Sequence, residues 1–506
     1  MKPVVWAPGR PFSGISVAPR HLAPANGLSQ LSVARIPVYS LVGRYGGRRV
    51  YHVCALKCNG RFISRRRLLQ LGLAASAATI VGSRRVLDTA AADLLGTAGA
   101  DAGAVSLSGT SRRVLYRGAA IADGRSPTRQ TGMSVLVRDG QVAWIRPSDA
   151  EEDPGPADGL EIVDARAATI VPGMVDAHCH LTSPGGANYI KRFLDPPQQL
   201  LEYAERNGSI CRQAGTRWLR DVGAPTVVDP VDGRRRALSL GIRDRWVGRT
   251  DRPRVAAAGT WIAPPRVLTR GLPIVVRTTN ELVAAAMKQL DQGANLVKLY
   301  VELPDSIESP WTASQIRRVV DAVHARGARV TAHVQRVRPA RAAVLGGVDA
   351  IEHGFRLNAE VCTEMARRGT YLVTTLVVPR SWLQIGATTS GSYWSTRAGR
   401  RYARRLLERG EESVRLARAA GVKIAAGTDM GGGSTRAGKL AWEVESLVAA
   451  RLQPWQALGS ATWRGGDLLG RPAAGRIIEG SRADFFLVDG DPLSNPAALW
   501  RVLRLA

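Results

Sequence analysis

Between residues 171 and 470, apolar segments of strand length alternate with stretches of helical period. That alternation constrains the fold more than any other feature of the chain. Candidate strands end near His180, Val222, Gly259, Tyr300, His333, His353, Thr375 and Thr428. Helical patterns such as Glu281–Leu290, Ala313–Arg326, Arg400–Ala420 and Leu440–Arg451 fill the gaps. Eight strands separated by helices predict an α/β fold, a (β/α)8 TIM barrel. Shorter strand patterns flank it: Val114–Tyr116, Ser134–Val137 and Gln141–Ile145 before, Ala483–Val488 after. Asp139-Gly140 between two of them is a hairpin signal, because both turn positions take positive φ. The expected organisation is therefore a barrel over 171–470 and a small β-sandwich domain built from 113–170 and 475–506.

The stretch Pro172–His180 carries the densest chemistry. Strand residues alternate faces, so His178 and His180 point one way, roughly 7 Å apart, and Cys179 the other. Two imidazoles on one face at a strand end suit a divalent metal, whereas Cys179 reads as a packed thiol. Lys298 lies in Asn295–Tyr300, a strand without a polar face, where a buried unpaired ammonium is costly. It should be neutral, paired or modified; a neutral amine can add carbon dioxide, giving a carbamate whose two oxygens can bridge two metals. His333 and His353 each end a candidate strand, and Asp429 ends Ile424–Thr428 before a Gly-rich loop. Four of the seven histidines thus fall at strand ends within the barrel, where barrel enzymes build their sites. His324 reads instead as an exposed helix residue.

The order His-x-His, Lys, His, His, Asp on strands one, four, five, six and eight resembles the amidohydrolase superfamily. Arg220-Asp221-Val222-Gly223, Val297-Lys298-Leu299-Tyr300, Ile351-Glu352-His353-Gly354 and Ala426-Gly427-Thr428-Asp429 resemble the branch of imidazolonepropionase-like proteins and metal-dependent prolidases. The resemblance covers most of 113–506. It implies a hydrolase of carbon–nitrogen bonds that binds two divalent metal ions, zinc being expected, through His178, His180, Lys298, His333, His353 and Asp429. Carbon dioxide would be held as a carbamate on Lys298. His178, His180 and Asp429 would hold the more buried metal, and His333 and His353 the second. Asp429 would act as general base and then acid. Expected substrates are a dipeptide, an N-acyl amino acid or a cyclic amide, with Tyr300, Arg336 and Arg338 as candidates for binding a carboxylate. A lactone or phosphoester is the alternative on the same site. Two loops depart from the pattern, Gly259–Pro265 and the basic Val334–Arg338, and both should face the substrate.

The formal net charge is +28, and residues 1–110 hold 14 Lys/Arg against 3 Asp/Glu. A basic balance can mean a nucleic-acid partner, but no arginine run alternates with aromatics on one element, so none is expected. The cluster from Arg397 to Arg409 reads as a solvated helix face. A non-catalytic barrel scaffold would be expected to lose metal residues, and all six are present. Five scattered cysteines make no disulfide framework, and Cys54 with Cys58 lacks a second pair for a metal. Residues 64–70, Ser-Arg-Arg-Arg-Leu-Leu-Gln, precede an apolar run from Leu71 to Val81 and small residues near Thr89–Ala92. That layout, within about 61–92, is similar to a twin-arginine export signal, its apolar run too short for a permanent membrane span. An exported protein, periplasmic or extracellular, is expected, with a cytoplasmic one as the alternative. The rest of 1–110 is expected to be disordered. The partner implied is a small-molecule substrate; self-association is left open.

Overall fold

The computed structural model describes residues 112–155 and 159–506, together with the backbone of three strands nearer the N-terminus. Those strands, Val38–Tyr45, Arg48–Cys58 and Arg61–Ile63, form an antiparallel sheet in chain order. This departs from the expectation of disorder across 1–110. The physical signal was present: Val50 to Leu56 is rich in strand formers, and Gly46-Gly47 and Asn59-Gly60 are hairpin dipeptides. The twin-arginine-like segment lies outside the described residues.

Eight parallel strands make the barrel: β1 (Met174–Cys179), β2 (Thr216–Asp221), β3 (Arg254–Ala257), β4 (Leu296–Tyr300), β5 (Arg329–Val334), β6 (Ala350–His353), β7 (Tyr371–Thr374) and β8 (Ile424–Ala426). β1 to β3 pair in one sheet and β4 to β8 in another. The Asn295 N–H donates to Ala257 O (2.8 Å), tying β3 to the start of β4. On the other side Asp429 N–H donates to His178 O (2.7 Å) and His180 N–H to Met430 O (2.6 Å). The ring therefore closes through the very residues expected to bind metal.

Helices return between the strands, among them Thr279–Asp291, Ala313–His324, Arg397–Ala419 and Leu440–Ala449. Their apolar stripes bury against the strands' outer faces: Ile316, Val319, Val320 and Val323 share one cluster with Val297, Leu299, Val330 and Ile351. Arg401, Arg404, Arg405 and Arg409 lie on the exposed face of Arg397–Ala419. Among the described residues no helix is long and apolar enough to cross a membrane.

The chain segments flanking the barrel form one seven-stranded mixed sheet. Arg113–Ile121 pairs along its length with Gln130–Arg138; its first half also pairs with Leu160–Asp164 and its end with Ala168–Pro172. Phe485–Asp489 then adds to Ala168–Pro172, and Val502–Leu505 to that. One apolar cluster fills this domain, with Tyr116 edge-on to Phe485 at 5.1 Å between ring centroids. Ala168–Pro172 runs through Gly173 directly into β1, so the sheet anchors the strand that carries His178 and His180.

Candidate metal centre

The register of the barrel sets the site. Tyr300, His333, Glu352 and Val373 are level partners across β4 to β7, and Lys298 is level with Thr331 one step earlier. Lys298 and Tyr300 therefore share the inner face, as do Thr331 and His333. Glu352 occupies the inward position on β6, which by alternation turns His353 away. Backbone conformation recovers it: His353 has φ +71°, a left-handed turn rare for residues other than glycine, and its ring swings into the site. Asp429, just beyond β8, has φ +48°. Two residues in left-handed conformations, one ending β6 and one following β8, both face one point.

His178, His180, His353 and Asp429 converge there, all buried, with His333 half-buried beside them. His353 lies between its neighbours, 4.7 Å from the His178 ring and 4.6 Å from the His333 ring, while His178 and His180 are 5.3 Å apart. His333 stacks on Tyr300 at 4.4 Å. Three imidazoles use Nδ1 for the protein. His178 Nδ1 meets Glu352 Oε2 at 2.6 Å, His180 Nδ1 meets Gly223 O at 2.7 Å, and His353 Nδ1 meets Thr375 Oγ1 at 2.9 Å. The carboxylate and the carbonyl can only accept, so in the neutral rings of His178 and His180 the proton sits on Nδ1 and Nε2 keeps its lone pair, the tautomer a metal needs. His178 Nε2 is buried and has no hydrogen-bond partner.

His178 Nε2 and His180 Nε2 stand 3.4 and 3.3 Å from Asp429 Oδ1. Those contacts are long for charge-assisted hydrogen bonds, yet they fit another role. Ligands about 2.0–2.1 Å from a tetrahedral ion are separated by about 3.4 Å. His178, His353 and Asp429 each offer a ligand atom within 4.8 Å of the others. Gly432 passes so close that a Cβ there would come 2.1 Å from His180 Cδ2 and 2.3 Å from Asp429 Oδ1. The donor set, the orphaned nitrogen and this glycine cradle all fit a divalent cation.

Lys298 is among the largest fully buried side chains of the described residues. Burial pushes its ammonium down to about 8, against the opposing pull of Glu352 and Asp429. Burial alone would raise the Asp429 carboxyl, but His178 and His180 hold it well below the usual carboxylate range. His333 and His353 are held well below the ordinary imidazole value, first by burial, then by the positive charge of Lys298 on His333 and of His333 on His353.

All six expected metal residues meet in one place. The expected division into a His178/His180/Asp429 set and a His333/His353 set is not imposed, because His353 bridges them in space. Of the three candidates for a substrate carboxylate, Tyr300 lines a cavity of about 450 Å³ that opens onto His180, His333, His353 and Asp429. Arg336 lines it too, but its guanidinium donates to the carbonyls of Leu303, Ser306 and Pro304. Arg338 does not reach the cavity; it is exposed and pairs with Glu308. The helix Val337–Leu345 begins between them, so the two arginines cannot act as one clamp. Of the two loops expected to face the substrate, Gly259–Pro265 contributes Trp261 to the cavity wall and Val334–Arg338 contributes Gln335 and Arg336. Cys179 packs in the outer apolar cluster, as the alternation implies, and His324 is exposed and paired with Asp349 at 2.9 Å.

Sequence reasoning passed over Glu352. It is fully buried and accepts from His178, from Arg220 Nη1 (2.7 Å) and from the Thr331 hydroxyl. Arg220 and His178 hold its carboxyl well below the usual range despite burial, which acts the other way. The available signal was its position next to His353 on a strand otherwise apolar. Trp261 was also missed as a site residue; its buried indole N–H lacks a partner, and its ring stands 5.4 Å from His180.

An eight-stranded parallel barrel with histidines, a buried lysine and an aspartate at its C-terminal rim defines a metal-dependent hydrolase barrel. The chain belongs to the amidohydrolase family, whose profile matches residues 169–504, and is a hydrolase acting on carbon–nitrogen bonds. An uncharacterized protein of Mycobacterium tuberculosis is 32% identical over 358 residues, 67% of this chain and 88% of its own length. Imidazolonepropionase of Chromobacterium violaceum is 28% identical over 393 residues, 73% and 87% of the two chains. Among solved structures, a Xaa-Pro dipeptidase with bound methionine superposes with a TM-score of 0.64 at 23% identity, covering 77% of this chain and 97% of that one. Aspergillus niger ochratoxinase gives 0.64 at 17%, covering 78% and 94%.

Proposed function

We propose that the chain hydrolyses an amide-type C–N bond flanked by a bulky apolar group, using two divalent metal ions, zinc by preference. The observation that carries the reading is the convergence of free Nε2 atoms on Asp429 with each Nδ1 engaged elsewhere. His178, His180, His333, His353 and Asp429 would hold the metals. When bound, these ions supply Lewis acidity that acidifies water and polarises the scissile carbonyl. Lys298 would join them as a carbamate, its neutral amine forming an N–C bond to carbon dioxide with release of one proton, a reading its burial and lowered pKa support. Asp429 takes a proton from the attacking water as the C–O bond forms and returns it to the leaving nitrogen as the C–N bond breaks.

The cavity supports the substrate class. Tyr189, Phe193, Trp261, Tyr300 and Tyr402 line it together with Leu268 and Leu272. Arg336 is committed to three carbonyls, and Glu302 beside it accepts from Gln335 N–H (2.9 Å) and Arg336 N–H. A substrate with an aromatic or branched apolar side chain fits this wall better than a small charged dipeptide. A panel of N-acyl amino acids, dipeptides, aryl amides and lactones, assayed with added zinc, tests the reading. Turnover of apolar amides should exceed that of lactones and of dipeptides with small side chains, and exclusive lactone turnover would overturn it. The Arg65-Arg66 segment supports the further proposal that the protein is exported.

A further inference from the structure

A second cavity lies at the other end of the barrel. About 660 Å³ in volume, it opens at the seam between the flanking sheet and the starts of β2 and β3. Eight arginines and two aspartates line it. The whole chain carries 70 Lys/Arg against 42 Asp/Glu, fewer than two to one, so a four-to-one lining is not explained by composition alone. The arginines come from the sheet (Arg112, Arg482, Arg504) and from the barrel (Arg212, Arg217, Arg254), converging from both walls.

Several of these charges have carboxylate partners. Arg254 pairs with Asp484 at 2.5 Å, Arg504 with Glu161 at 2.7 Å, and Arg249 with Asp251 at 2.7 Å. Arg112 shares Glu161, Arg482 shares Asp484, and Arg252 pairs with Asp251 and Glu205, whereas Arg212 and Arg217 have no Asp or Glu partner and both donate to Ala506 O. Arg217 is 4% exposed and donates through Nη2 to the carbonyls of Phe485 and Ala506, leaving Nε and Nη1 buried without partners. Arg212 donates to the carbonyls of Thr250 and Ala506 and leaves Nη1 unpartnered. Set against the carboxylates of Asp251, Asp484, Glu161 and Glu205 and the oxygen of Ala506, eight guanidinium groups leave the pocket with an excess of positive charge, which is costly in a concave site. An anion in the cavity would balance that excess.

We propose that this cavity binds a small molecule bearing two or more phosphoryl groups. Guanidinium forks match phosphate oxygens in paired hydrogen bonds, and arginines on opposing walls suit more than one phosphoryl group. The volume falls within the range of small-molecule sites. A single concave pocket differs from the extended basic track that a nucleic-acid strand needs. Thr216 and Arg254 are the first residues of β2 and β3, whereas the metal residues sit where strands end, so the occupant would not compete with substrate. It would clasp the sheet to the barrel and stabilise the fold.

Titration calorimetry with inorganic pyrophosphate on the metal-loaded protein tests this. One pyrophosphate should bind per chain, at least tenfold more tightly than to Arg254→Gln/Arg482→Gln, and should raise the melting temperature without competing with substrate. Both variants leave every metal residue in place, so chelation of metal would be equal in the two proteins. Arg112→Gln, at an exposed position, serves where the double variant does not fold and should weaken binding severalfold. Equal binding by variant and parent, competitive inhibition of hydrolysis, or preference for a DNA duplex over pyrophosphate would each overturn the proposal.

Discussion

Replacing Glu352 by glutamine probes the metal centre without removing any metal residue. In the folded protein the His178 Nδ1–H donates to Glu352 Oε2 at 2.6 Å, and Arg220 Nη1 donates to Oε1 at 2.7 Å. A glutamine can satisfy Arg220 with its carbonyl oxygen, which turns its NH2 toward His178 Nδ1. That nitrogen must then accept, so the ring proton moves to Nε2, the atom that faces Asp429. The opposite rotamer sets an amide N–H against the guanidinium. Loss of such an orienting carboxylate weakens metal affinity about 10- to 100-fold, which is about 1.4–2.7 kcal/mol. In the metal-free protein the same change strips the buried Arg220 of its charge partner. Breaking a buried pair costs about 3–5 kcal/mol, and the retained amide oxygen should keep the loss toward the lower figure. Metal affinity is read by competition with a chromogenic chelator, stability by urea unfolding after metal removal. The expected result is a loss of activity at limiting metal that excess metal partly restores. Unchanged metal affinity alongside reduced stability would show that Glu352 serves Arg220 alone and would refute the tautomer argument.

Lys298→Ala should bind one metal ion in place of two and lose most activity; retention of two ions, by elemental analysis, would contradict the bridging role. Gly432→Ala places a methyl group 2.3 Å from Asp429 Oδ1 and 2.1 Å from the His180 ring, so metal binding should fall at least tenfold while secondary structure by circular dichroism persists. Glu443, fully buried, is pushed by desolvation from 4.5 up to about 8, although it accepts from the N–H groups of Leu376 and Val377. The folded chain thus holds a proton that the unfolded chain has lost. The stability this contributes is complete below pH 4.5 and disappears as pH rises to about 8, by up to about 1.4 kcal/mol per pH unit. Urea unfolding of the metal-free protein and Glu443→Gln at pH 5.5, 6.5 and 7.5 should show the gap shifting with pH; parallel curves would sink the assignment. Changing Arg65 and Arg66 to lysine should abolish export of a tagged protein, and normal secretion would exclude a twin-arginine route.

What could be read from the sequence and what could not divide along a physical line. Strand ends in the barrel were legible to within a few residues, because segments such as Leu296–Tyr300 and Arg329–Val334 are short, rich in β-branched and apolar residues, and set between helical patterns. The six residues proposed to hold metal stood out because histidine, lysine and aspartate are poorly tolerated at such positions without a reason. The polar layer below them was not. Arg220, Thr331 and Glu352 come from three strands and meet only through the barrel's register, which no local pattern specifies. Period-two alternation also misdirects at β6. It allows Glu352 or His353 to face the site, but not both, and the left-handed turn at His353 breaks the rule. The loops were harder still. Arg336 and Arg338 look equivalent in sequence, yet one is drawn in by three backbone carbonyls and the other drawn out by Glu308. Metal chemistry is written in residue type and spacing, whereas the cavity wall that chooses a substrate depends on which loop carbonyls need a donor. The class of reaction is therefore legible long before its substrate.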